Sequence, residues 1–420
     1  MNLETTDIKE GIRLHKIKTN KYKTNLMSVF LTSKLSRDDI TKKALILTVL
    51  RRGTNNLKTQ EEISKKLEEL YGASFDCGID KLGDKHVLKF YVESLNEQYL
   101  YQKEDILSQS LNILFDIVFN PLLENGVFKQ EYIDEEKQNL RIIIEGQKDN
   151  KAAYATQRCI EEMYKEKPYG LYKYGYVEDL EKIDSKNLYE AYLDLIKTCK
   201  IDIFVSGDFD EKTLEEKVKS NQQISKLEPR KVEYLDEESE SSNTQEENVV
   251  RENMQISQGK LNIGLDVLSD NKSAVSVYNA ILGGGANSKL FQNVREKASL
   301  AYSAGSIYIK PKSKIIIKTG IEHKNYEKAL QIIKEQIDNM KNGEFSDEDI
   351  QHAKELIIAS FKAMQDEQDS EISFYFGREI QKQSKDIDKQ IKEVSEVTKQ
   401  NIVDVANKIK INTIFFLTRE

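Results

Sequence analysis

The chain has 420 residues, 39% of them hydrophobic and 32% charged, and carries a net charge of −8. That length exceeds a single compact core and predicts two or more domains, while the acidic balance, without a basic stripe bearing interleaved aromatics, excludes bulk nucleic-acid binding. No run of about twenty apolar residues occurs, so no membrane-spanning helix is expected. The opening MNLETTDIKEGIRLHKIKTN lacks the apolar stretch of a signal peptide. Cys77, Cys159 and Cys199 lie far apart with no C-x-x-C pair, which predicts reduced thiols and a cytoplasmic protein.

Residues 12–18 and 25–32 are rich in apolar and β-branched side chains and predict strands. A polar turn over 33–39 leads into a helix over 40–54, ITKKALILTVLRRGT. Here Ile40, Ala44, Leu47, Val49 and Leu50 recur on one face, and Arg51, Arg52 and Gly53 close the C-terminus. Thr59 caps a second helix, with Glu62 three residues on and Gly72 as its stop. Residues 74–79 and 86–92 alternate around a turn and predict a hairpin. One amphipathic helix spans 104–119 and ends at Asn120 and Pro121; another runs from 129 to 165 and closes before Pro168. A helix over 185–198 and a strand over 200–205 complete this half.

The composition then changes. Residues 236–247, DEESESSNTQEE, contain no aliphatic side chain and predict a solvated hinge. After it the pattern restarts: a strand or strand pair over 254–267, a helix over 273–282, a turn at Gly283–Gly285 and a helix over 288–297. Strands over 302–309 and 314–319, helices over 326–341 and 346–365, a helix near 399–408 and a strand over 412–417 follow. Both halves open on strands, pass through long helices and finish helix-then-strand, so duplication of an α+β unit is the economical account. The expected domains are 1–233 and 251–420, joined by an acidic linker over 234–250.

No catalytic constellation is complete on residues alone. His15, His86, His323 and His352 never stand three to five residues apart, so no helical pair of imidazole ligands exists. Gly283–Gly285 precedes a helix, but no Lys plus Ser/Thr follows at phosphate-loop spacing, and a turn made flexible or steeply packed by glycine is the better reading. G-x-S-x-G is absent. Glu135–Glu136 and Glu161–Glu162 are adjacent pairs on diverging helix faces, unsuited to shared acid–base work.

Residues 282–303, LGGGANSKLFQNVREKASLAYS, are similar to a segment of the M16 metallopeptidases, the family of pitrilysin, insulysin and the mitochondrial processing peptidase; Ser299 stands where the family usually has glycine. The resemblance covers the whole chain. It implies an α+β fold of two homologous M16/LuxS-like metallohydrolase-type domains, each an antiparallel sheet flanked by helices, forming a clam-like half-chamber. Active members carry H-x-x-E-H in the helix that ends in a Gly-Thr like Gly53–Thr54. That register puts Ala44 and Thr48 at the histidine positions and Leu47 at the glutamate, and a later anchor on Glu136 and Lys137 puts Ile143 at the distal glutamate ligand.

A methyl or isobutyl group does not ligate zinc and a hydroxyl does so poorly, so no zinc and no other cofactor is expected. The resemblance is closer still to an inactive Gram-positive branch of the family. It implies a heterodimer with an active H-x-x-E-H paralogue, a contribution to unfolded-peptide binding through Arg295 and Tyr302, and an association with 5-aminopentanol modification of elongation factor P. Two other readings stand beside this one: a pure scaffold, and a peptidase with a metal site rebuilt from Glu135, Glu136 or Glu145 and a histidine from elsewhere.

Overall fold

The structure is a computed structural model that describes residues 3–232, 247–383 and 386–419. The acidic hinge expected over 236–247 lies outside the described residues except for Glu247.

In the first half, strands β1 (Leu3–Lys9), β2 (Ile12–Lys18), β3 (Thr24–Lys34), β4 (Ser74–Leu82) and β5 (Lys85–Leu95) precede a short hairpin, β6 (Leu123–Glu124) and β7 (Val127–Phe128), and then β8 (Lys200–Gly207). The helices are α1 (Ile40–Leu50), α2 (Gln60–Glu69), α3 (Ile106–Phe119), α4 (Gln130–Glu145), α5 (Lys151–Met163), α6 (Val177–Leu180), α7 (Ser185–Thr198), α8 (Glu211–Ser220) and α9 (Gln222–Lys226). One sheet forms in the order β1-β2-β8-β3-β5-β4. The second half supplies β9 (Asn248–Asn253), β10 (Gly259–Val267), α10 (Lys272–Gly283), β11 (Ala301–Ile309), β12 (Lys314–Ile321), α11 (Tyr326–Lys341), α12 (Asp347–Met364), α13 (Gln368–Ile380), α14 (Ile387–Ser395), α15 (Lys399–Ala406) and β13 (Ile409–Thr418). Its sheet runs β9-β13-β10-β12-β11.

The two orders superimpose strand for strand. β2 is parallel to β8 as β9 is to β13, and the remaining neighbours, β8-β3-β5-β4 and β13-β10-β12-β11, are antiparallel in both. Such agreement in order and direction is the structural imprint of a duplicated unit, with β1 added to the first copy.

The compact units differ from the contiguous halves expected from sequence. One comprises Met1–Glu145, Leu171–Glu238 and Gln368–Gly377; the other comprises Gly146–Gly170, Ser239–Glu367 and Arg378–Glu420. Each copy thus gives one helix to the other copy's sheet. The helix expected to run unbroken from 129 to 165 stops at Glu145, turns through Gly146–Lys148 and restarts with Asn150 accepting a bond from the Ala153 amide. That break lets α4 remain in the first unit while α5 joins the second.

In the first unit, one sheet face packs Leu14, Val29, Leu31, Leu88, Phe90, Ile201 and Ile203 against the helices. The opposite face carries His15, Phe30, Lys89, Asp202 and Phe204, and residues of Gln368–Gly377 cover it. Phe376 stacks on Phe30 with centroids 4.0 Å apart, and the Gln368 amide donates to the Ser206 carbonyl at 3.0 Å. In the second unit α5 plays the matching part. Tyr154, Ala155 and Cys159 pack on Phe415 and Leu417, and Arg158 donates to Glu252 at 2.9 Å.

Buried in the first sheet is a charged cluster. His15 Nε2 and Lys200 Nζ each lie 2.9 Å from Asp202 Oδ1, the Thr5 hydroxyl is 2.9 Å from His15 Nδ1, and Phe204 stacks on the imidazole at 4.2 Å. His15, Lys200 and Asp202 are all buried, and Asp202 Oδ2 has no hydrogen-bond partner. Burial alone would raise the Asp202 carboxyl's pKa, but the His15 hydrogen bond and the Lys200 charge hold it below its ordinary value.

Candidate functional site

The first candidate is α1. Sequence spacing predicts a helix with one apolar face, whereas Ile40, Ala44, Leu45, Ile46, Leu47, Val49 and Leu50 are all buried, so the helix is enclosed on nearly every side. A helix apolar all round is an interior helix. Ala44 and Leu47 sit in the core with the sheet residues. Thr48 is half-buried and its hydroxyl donates to the Leu45 carbonyl at 3.0 Å, back into its own helix. Ile143, on α4, is instead 41% exposed.

Zinc does not fit this set. Two positions offer hydrocarbon, the third an already bonded hydroxyl, the fourth a solvent-facing isoleucine. Two of the three carboxylates considered for a rebuilt site are engaged: Arg52, just past α1, bonds Glu135 and bonds Glu136 Oε1 at 3.1 Å, and its guanidinium lies 4.6 Å over the Tyr132 ring. A guanidinium thus ties the end of α1 to α4, the two helices on which the resemblance places the zinc ligands.

The cysteines and the other histidines offer no rebuilt site. Burial pushes the Cys77 thiol up to about 11 and those of Cys159 and Cys199 up to about 12, and all three are free thiols. His86 is fully buried with Nε2 2.9 Å from the Lys173 carbonyl, and desolvation pushes it down to about 4. His323 bonds the Thr418 hydroxyl at 2.8 Å, and His352 is exposed 3.9 Å from Glu348.

The second candidate is the segment from Phe291 to Tyr302. The sequence predicts an ordinary helix here; Phe291–Lys297 is instead a π-helix, a wider coil that is uncommon and recurs at functional sites. Arg295 lies half-exposed on it, with its guanidinium 4.5 Å over the Phe291 ring and Nε 3.7 Å from Glu296. Tyr302, at the start of the edge strand β11, is 58% exposed. Between them Ser299 adopts the left-handed region at φ 51°, which accounts for the glycine that the family usually has there. Ser299→Gly is therefore expected to stabilise the chain by about 0.5–1 kcal/mol, read as a shifted denaturant midpoint with unchanged slope.

Phe291 also lines a cleft of about 850 Å³ bounded by Gly283–Gly285, by β11 from Ser303 to Ile307, and by Thr156, Gln157 and Ile160 of α5. Gly283 is explained by approach rather than by turn geometry. A Cβ on Gly283 would stand 2.5 Å from the Ser306 amide nitrogen, so only glycine lets the end of α10 touch β11. Sequence reasoning found the residues of this segment but not the cleft, because α5 comes from the other half of the chain.

Two sheets of matching topology, an interior helix with no zinc donor at Ala44 or Leu47, and an exposed basic–aromatic segment together describe a duplicated α+β fold of the peptidase class. Residues 182–357 match the family model described as "Peptidase M16 inactive domain". The chain is 34% identical over 411 residues to a Bacillus subtilis protein described as "Probable inactive metalloprotease YmfF", covering 97% of this chain and 96% of that one. The chain belongs to the M16 peptidase family. Among solved structures it is similar to a conserved protein from Enterococcus faecalis, with TM-score 0.89 at 28% identity over 100% of this chain and 99% of that one. A peptidase M16 inactive domain from Pseudomonas fluorescens shares the fold, with TM-score 0.80 at 17% identity over 100% and 99% of the two chains. No helix among the described residues is long and apolar enough to cross a membrane.

Proposed function

We propose that this chain is a non-catalytic M16 subunit that pairs with an H-x-x-E-H paralogue and helps hold that partner's peptide substrate. The observation that carries this reading is the contrast between the halves. Ala44 and Leu47, two of the ligand positions of α1, lie in the core, while Arg295 and Tyr302 are exposed on a π-helix and an edge strand beside an open cleft. A residue kept only for the fold has no need of exposed guanidinium and phenol groups; a cation and an aromatic at a strand edge suit backbone carbonyls and side chains of an extended peptide. The description of the Bacillus subtilis relative as inactive supports the same reading. It stops short of elongation factor P, for which no residue here speaks.

Co-expression with the paralogue from the same organism tests it. The two chains are expected to co-elute as a heterodimer, and Arg295→Ala with Tyr302→Phe is expected to raise the complex's KM for an unstructured peptide about tenfold, a loss of binding energy near 1.4 kcal/mol, with kcat little changed. Chains that elute separately at native expression levels would sink the pairing. A heterodimer with unaltered KM would leave a scaffold and remove the peptide role.

A further inference from the structure

The cleft beside α5 lies wholly within the second unit. Its floor is the sheet face that α5 partly covers. Ser303, Gly305 and Ile307 of β11 stand opposite Gly320, Lys318 and Ile316 of β12, and Lys318 stands opposite Asn262 of β10, so these residues share one face. Asn262 holds α5 there, its amide donating to the Thr156 hydroxyl at 3.2 Å. On the other side of Lys318 is Gly305, which puts no side chain between that lysine and the cleft. Lys318 is half-buried and is the one charged residue that lines the cleft. Among the described residues no hydrogen bond or ion pair engages it.

Lys260, two residues before Asn262 on β10, stands on the same face. It too is half-buried; its ammonium lies 3.3 Å from Gln258 Oε1 and meets no carboxylate among the described residues. A Cβ on Gly320 would stand 3.3 Å from that ammonium and 3.2 Å from the Ser303 hydroxyl, so the glycine leaves room for Lys260 to reach a residue of the cleft wall. Burial lowers the Lys260 pKa. Other poorly exposed lysines of this chain have their carboxylates: Lys314 is paired with Asp266 at 2.5 Å and Lys43 with Asp39 at 2.7 Å. In a chain with 71 acidic against 63 basic residues, two partly desolvated ammoniums on one face without a carboxylate are an unmet demand for an anion.

We propose that this cleft selects extended peptides bearing an acidic side chain, whose carboxylate Lys318 and Lys260 bind while flanking apolar residues lie on Ile160, Phe291 and Ile307. The inference rests on the peptide-holding reading above and adds the class of peptide. Complementary charge and the mixed lining decide the occupant. A free inorganic anion would leave the apolar walls in water, and two cations are too few for a polynucleotide, which needs a basic stripe. A peptide supplies a carboxylate and apolar side chains together, and the cavity of about 850 Å³ has the size of a ligand site.

Fluorescence anisotropy of the full chain tests it, titrated against a short rhodamine-labelled peptide of valine, serine and alanine with one central glutamate, and against its glutamine twin. The glutamate peptide is expected to bind about tenfold tighter, the ordinary size of one charge-assisted contact. The gap is expected to shrink between about 0.05 and 0.3 M salt. Lys318→Gln is expected to bring the two peptides to parity without weakening the glutamine twin, and Lys318→Arg to restore the preference. Lys260→Gln is expected to cut the preference about threefold. Thermal melts unchanged from wild type exclude misfolding of these variants. Equal affinity for the two peptides, with Arg295→Ala weakening both, overturns the acidic preference and leaves the peptide role intact. A preference for glutamate that survives Lys318→Gln overturns the assignment to this cleft. Binding of neither peptide, by the chain alone or by the heterodimer, removes the peptide role itself and this inference with it.

Discussion

Asp202→Ala is expected to cost about 3–5 kcal/mol of stability, because it removes the buried carboxylate on which His15 and Lys200 converge. Lys200 and His15 both point at one oxygen of this carboxylate, and both are buried on a strand with no access to water. Removing the carboxylate takes away the partner that His15 and Lys200 share in the interior. Chemical denaturation followed by circular dichroism measures the loss, and the absence of tryptophan makes intrinsic fluorescence a weak substitute. The same pair sets a pH dependence. The carboxyl is held below its ordinary value in the folded chain, so the unfolded chain takes up its proton first as the pH falls. The stabilisation is complete well above an unfolded value of about 3.9 and is lost as the pH drops through the lower folded value. Wild type and Asp202→Asn should therefore differ most at neutral pH and converge in acid. A gap that is the same at pH 7 and at pH 3 would refute the ion-pair account.

Phe376→Ala is expected to cost a further 3–5 kcal/mol in an otherwise unaltered chain. The ring is 3% exposed, stacks on Phe30 at an interplanar angle of 13°, and meets Phe204 edge-on at 6.3 Å. Truncation removes the ring that seats α13 on the first sheet, and two aromatic faces then meet water. A cycle with Phe30→Ala isolates the direct stacking, for which about 0.5–1.5 kcal/mol is the ordinary range. A loss below 1 kcal/mol for Phe376→Ala alone would mean that α13 does not cover this face.

Much of the architecture was legible because local signals and tertiary packing agree. The expected helix over 326–341 is α11 to the residue, Thr59 accepts a bond from the Glu62 amide as its spacing implied, and β4 and β5 form the expected hairpin. What was missed follows from physical conflicts. The alternation in β8 of Lys200, Asp202, Phe204 and Ser206 with Ile201, Ile203 and Val205 reads as one wet and one dry face, yet all eight residues of the strand are buried because α13 arrives from more than 160 residues away. Helices α13 and α14 carry mixed polar and aromatic residues whose partners lie far off in sequence, so their periodicity was passed over. Asn125 and Gly126, both at positive φ, mark the β6–β7 hairpin and were a usable local signal. So was Gly146 with Asn150, where the long helix divides.

The site divides in the same way. The loss of zinc ligands at Ala44, Leu47 and Thr48 was readable from residue chemistry, since no packing turns a methyl group into a donor. The exposure of Ile143 was not, because it depends on which neighbours α4 meets. Nor was the role of Arg52, because sequence alone does not say that a guanidinium at the end of α1 bridges two adjacent glutamates on α4.

The reciprocal loan of α5 and α13 has a consequence for how the protein is made. A ribosome adds about 5–20 residues each second, so roughly 20–70 seconds separate the emergence of Phe30 from that of Phe376. Once Phe204 has followed, roughly midway through that interval, the nascent first sheet presents both rings without the Phe376 cover. The early strands must therefore wait, exposed to chaperones and to neighbouring chains on the same message, for a helix encoded more than 160 residues after the last strand of their sheet.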